Sequence, residues 1–119
     1  MLDEDEILEQ FTSEENILNI FNLIKSKPIF KTKHFYERII IRNLDENLIN
    51  QTFPQKGKIK LIDKRKHKKD IGYDFYYELS RNQILKLCFI PLDNKTLLVN
   101  AILRHRKWQG SLRTLNRRK

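Results

Sequence analysis

The chain has 119 residues with 24 Lys and Arg against 15 Asp and Glu, twelve aromatics and a single cysteine. That length suits one domain around one hydrophobic core; a lone Cys88 excludes an internal disulfide, and no apolar run approaches the roughly 18 residues of a membrane span. The acidic start Met-Leu-Asp-Glu-Asp-Glu is the reverse of a signal peptide's basic one, so a soluble, cytoplasmic protein without a membrane partner is expected.

Charge divides the chain. Residues 1–26 hold seven carboxylates and one Lys, whereas residues 27–119 hold 23 cations and eight carboxylates. A basic excess of that size gathers and orients polyanions, which makes nucleic acid the first partner to consider, RNA before DNA.

Residues 3–10 read as a short acidic helix or a loose arm. Thr12-Ser13-Glu14-Glu15 has capping-box form, and Ile17, Leu18, Ile20, Phe21 and Ile24 follow at helical spacing up to Pro28. A second helix starts at Thr32, with Phe35, Tyr36, Ile39, Ile40 and Leu44 on one face and His34, Glu37, Arg38, Ile41 and Arg42 on the other. Ile41 amid that polar face implies partial cover. Asp45 caps a third helix carrying Leu48, Ile49 and Phe53, and Pro54 stops it.

After Gly57 the period changes from 3.6 to 2. Lys58 to Ile62 reads as a short strand and Lys64 to Lys69 as a basic loop. Gly72 to Leu79, Ile84 to Ile90 and Thr96 to Leu103 read as strands separated by turns too short for a crossover helix. The expected class is α+β: N-terminal helices covering one side of a three- to four-stranded antiparallel sheet, in one domain over 1–110 with an acidic helical segment at 1–26. Residues 111–119 read as a basic, flexible tail.

Four places could carry chemistry. His34, Arg38 and Arg42, at i, i+4 and i+8, make a stripe in which an imidazole moves protons beside permanent cations; a solvated helix face is the plainer reading. Arg104, His105, Arg106, Lys107 and Trp108 follow the last strand, where Arg grips phosphate and Trp either stacks on a base or closes the core. Lys64, Arg65, Lys66, Lys68 and Lys69 supply sequence-independent phosphate attraction, with His67 read as solvated. Asp74, Tyr76 and Glu78 share one strand face, yet the Glu-x-Lys arrangement of Mg²⁺ nucleases is missing. Scattered His and Cys give no zinc spacing, and no Gly-rich phosphate loop exists, so no metal or other cofactor is expected.

The helix His-Phe-Tyr-Glu-Arg-Ile-Ile-Ile-Arg, leading into Tyr-Asp-Phe-Tyr-Tyr-Glu-Leu, Leu-Lys-Leu-Cys-Phe-Ile and Leu-Val-Asn-Ala-Ile-Leu-Arg-His-Arg, resembles the RelE-like toxins of the barnase, EndoU, colicin and RelE superfamily over about residues 32–108. The resemblance implies a RelE-like sheet and a toxin-type endoribonuclease that needs no metal, in which the 2′-hydroxyl attacks the adjacent phosphate. It assigns His34 and Arg38, with Arg104 and His105, to catalysis, and it implies an antitoxin partner. The C-terminal Tyr of ribosome-dependent members is missing here, with Trp108 the nearest substitute. Competing readings are a non-catalytic DNA- or RNA-binding protein and an interaction subunit or homodimer using its acidic helix. The nucleic-acid readings share one expectation: the cations converge on a single concave surface, which segment 1–26 shields or merely solubilises.

Overall fold

Asp5–Phe11 forms a strand, β1, where the composition suggested a helix or an arm. Glu, Leu and Gln favour helix only weakly, and pairing with a neighbouring strand outweighs that preference. The computed structural model describes residues 5–105 of the chain. Within them lie three helices and a six-stranded sheet: β1, α1 (Glu14–Lys25), β2 (Ile29–Lys31), α2 (Lys33–Ile41), α3 (Glu46–Thr52), β3 (Ile59–His67), β4 (Asp70–Ser80), β5 (Gln83–Pro91) and β6 (Thr96–His105). The sheet runs β1-β3-β4-β5-β6-β2, antiparallel except where β2 lies parallel to β6.

The expected sheet of three to four antiparallel strands is therefore corrected to six strands in mixed order. β3 to β6 do form the antiparallel meander; the additions are one N-terminal strand at each edge. β2 has three residues, too few for a period of 2 to show.

Helix starts follow their caps. Ser13, one residue later than the expected Thr12, accepts from Asn16 N–H; Thr32 accepts from Phe35 N–H, and Asp45 from Asn47 N–H. α2 ends in a Schellman pattern: Asn43 N–H donates to Ile40 C=O at 3.1 Å and Leu44 N–H to Ile39 C=O at 2.8 Å, with Asn43 left-handed at φ 53°.

The core lies between the helices and one sheet face. Phe21, Ile24, Phe35, Ile39 and Ile49 pack against Ile62, Phe75, Tyr77, Leu87, Phe89 and Ala101. Each buried Ile or Phe contributes about 1.5–3 kcal/mol. The buried Tyr77 hydroxyl donates to Phe53 C=O at 2.8 Å, and Thr96 Oγ1 to Ile24 C=O at 3.0 Å, which ties β6 to the end of α1. α1 is thus part of the core through Ile17, Phe21 and Ile24 rather than a detachable cover.

Two expectations for α2 change. Ile40, assigned to its apolar face, is 75% exposed, and Ile41, expected to be partly covered, is 73% exposed; only Phe35 and Ile39 are buried. Among the described residues no helix is long and apolar enough to cross a membrane.

Candidate functional site

Alternation along the central strands sends apolar side chains to the helices and leaves a charged set on the opposite face. Asp63 on β3 pairs in register with Asp74 on β4, and both are buried. Asp63 accepts from Gln10 Nε2 and from the Tyr76 hydroxyl, each at 3.0 Å. Asp74 accepts from Arg65 Nε at 2.7 Å, and Lys86 Nζ stands 3.6 Å from the same oxygen. Lys86 also lies over the Tyr76 ring, 5.5 Å from its centroid.

These contacts set the proton affinities. Burial opposes the charge of Arg65, but neighbouring Asp74 outweighs it and raises the guanidinium above its usual range. Burial, then Asp63 and Asp74, push the Tyr76 phenol far up. The Cys88 thiol is likewise raised, by burial first and by Asp74 second.

A groove of about 510 Å³ opens beside this cluster, lined among others by His34, Arg65, Asp74, Lys86, Cys88 and Asn100. Gly72 also borders it, and a Cβ there would come 3.1 Å from Phe89 C=O. α2 packs along β6 and carries His34 in its first turn. Arg38 Nε donates to His34 Nε2 at 3.2 Å. A guanidinium only donates, so in this contact His34 accepts at Nε2.

The sequence-predicted cations do not converge on one surface. His34 and Arg65 line the groove, and Arg38 is bonded to His34. Arg42 is taken up at the end of α2, where it donates to Asn100 Oδ1 and, at 3.0 Å, to Ala101 C=O. The expected basic loop is strand up to His67, closed by a turn at Lys68 and Lys69, both exposed. Lys64 and Lys66 alternate with Arg65, so they project from the other sheet face. Arg65 and Gly72 stand two residues from the turn, which puts Lys68 and Lys69 off the hairpin end of the groove.

Arg104 and His105 lie at the opposite end of β6. They pair with Ile84 and Gln83, and His105 Nδ1 is 3.4 Å from Gln83 Nε2. Arg104 is four residues beyond Asn100, about 13 Å along the strand, so the four candidate catalytic residues form two separate pairs. Arg106, Lys107 and Trp108, and the tail at 111–119, lie outside the described residues.

Lys86, Asn100 and Asp63 were missed as site residues. A lysine inside the apolar run Ile84-Leu85-Lys86-Leu87 was the available signal, because a buried charge needs a partner. Among the described residues no three His, Cys, Asp or Glu form a metal-ligand group.

Comparison with protein-family models, curated proteins and solved structures returns no match. The RelE-like likeness therefore rests on the residues alone.

Proposed function

We propose that the protein is a small endoribonuclease working in the His34 groove, with the backbone of its substrate drawn in by Lys68 and Lys69. The observation that carries this reading is the placement of His34 on one groove with Arg65 and Lys86. In this scheme an entering phosphate recruits Arg38 and releases His34 Nε2. The imidazole then takes the proton of a ribose 2′-hydroxyl as its oxygen attacks the adjacent phosphorus. The P–O5′ bond breaks, leaving a 2′,3′-cyclic phosphate, and the departing oxygen takes a proton from water. Arg65 and Lys86 stabilise the extra negative charge of the transition state.

Binding without cleavage is the second reading. Its support is that Arg38 occupies Nε2, the atom a general base requires.

A labelled single-stranded RNA incubated in EDTA separates the two. Wild type is expected to cleave, and His34→Ala to lower the rate by about 10²–10⁴ while still binding. Arg104→Ala is expected to keep the wild-type rate. Intact RNA with wild-type protein, or a His34→Ala variant as fast as wild type, overturns the enzymatic reading.

A further inference from the structure

β1 sets an acidic strand beside a basic one. In its pairing with β3, Glu6 stands opposite Lys66 and Glu9 opposite Lys64. Side chains so placed have Cβ atoms about 4.5–5.5 Å apart, close enough for each carboxylate to lower the potential at its lysine. Neither pair closes within 4.0 Å among the described residues.

The two halves of β1 are held differently. Phe11 packs against the core and Gln10 bonds the buried Asp63. On the outer half Glu6, Ile7, Leu8 and Glu9 are exposed, and the register shifts between Ile7 and Glu9. A bulge interrupts the ladder, and exposed side chains add little burial, so opening at Leu8 costs far less than detaching Phe11.

We propose that the outer half of β1 is a built-in acidic counter-strand that competes with the phosphates of a bound strand for Lys64 and Lys66. A nucleic acid reaching the Lys68–Lys69 turn displaces residues 5–9 while Gln10 and Phe11 stay in place. This deepens the reading above and rests on it for the identity of the polyanion. It also narrows the shielding expected of segment 1–26 to a few residues, because α1 is core.

The test uses the full chain with Glu6→Gln and Glu9→Gln together, exposed and near-isosteric changes that leave the backbone pairing intact. Binding of a uridine 20-mer and of inorganic polyphosphate is measured from 50 to 500 mM salt. Two compensating charges removed should steepen the log–log salt slope by about two, a gain of roughly tenfold at 50 mM relative to 200 mM. Lys64→Gln with Lys66→Gln in the same background should erase the gain, and hydrogen exchange should show amides 6–8 losing protection on RNA addition while 10–11 keep theirs.

Equal affinities of variant and wild type at every salt overturn the counter-strand, whether or not RNA is cleaved. A steeper slope with polyphosphate but intact RNA upholds the counter-strand and overturns the nuclease. Unchanged protection at 6–8 in saturating RNA overturns the displacement.

Discussion

Asp63 and Asp74 face each other across β3 and β4, two buried carboxylates in register on the same side of one sheet. Like charges so placed repel, and their coexistence depends on Arg65 and Lys86 at Asp74 and on Gln10 and Tyr76 at Asp63. The groove's cations are therefore held in position by the protein itself. On the proposed nuclease reading, preset charges of that kind stabilise a transition state without reorganising.

Removing one partner should expose this dependence. Asp74→Ala leaves Arg65 and Lys86 without their shared carboxylate and is expected to cost about 2–3 kcal/mol. That lies below the usual range for a fully buried pair because Arg65 keeps 22% of its side chain in solvent. Urea denaturation reads the loss; a change under 1 kcal/mol would show that the network is not structural.

Lys68 holds φ 58° in a two-residue turn where Gly or Asn normally sits. Lys68→Gly is expected to stabilise the fold by about 1 kcal/mol. The same change should lower the salt slope of RNA binding by about one. A gain in stability with unaltered RNA affinity would remove Lys68 from the binding surface.

Tyr76 and Tyr77 both have phenols raised by burial. A raised folded pKa means that the associated stability is fully present below the unfolded value near 10 and is lost as pH climbs above it. Phenolate absorbance on titration from pH 9 to 12 should show these two tyrosines ionising only with unfolding, in step with circular dichroism. Tyr76→Phe and Tyr77→Phe assign the steps; phenolate signal from both at pH 10.5 in folded protein would contradict the burial.

Neighbouring isoleucines on α2 should behave oppositely. Ile39→Ala removes a buried side chain and is expected to cost about 2–4 kcal/mol, whereas Ile41→Lys, at a 73% exposed site, should change stability by less than about 0.5 kcal/mol. Thermal melts of the two variants decide it.

The sequence was most legible where local chemistry is decisive. Thr32 and Asp45 cap the helices they were expected to start, and the alternation of Tyr73, Phe75 and Tyr77 marks the helix-facing side of β4. It was least legible where pairing partners are far apart in the chain. Ile7 to Phe11 carries no alternation of its own and becomes strand because Ile62 to Arg65 lies alongside. The same limit hid the groove: His34, Lys86 and Asn100 meet only because α2 packs on β6. Ile40 misled because apolar spacing was taken as burial, and Ile41 because an apolar residue on the polar face was taken as a sign of cover, whereas α2 has a single buried stripe.

The parallel pairing of Ile29–Lys31 with Thr96–Leu98 has a consequence for how the chain is completed. Each strand of the meander finds its neighbour within a short turn, but β1 and β2 have partners that are synthesised much later, in β3 and β6. During vectorial synthesis β1 can pair once β3 has emerged, whereas the β2 margin stays unpaired until β6 leaves the ribosome. Assembly of the groove, which draws on His34 before the meander and Asn100 on β6, thereby waits for β6 to emerge.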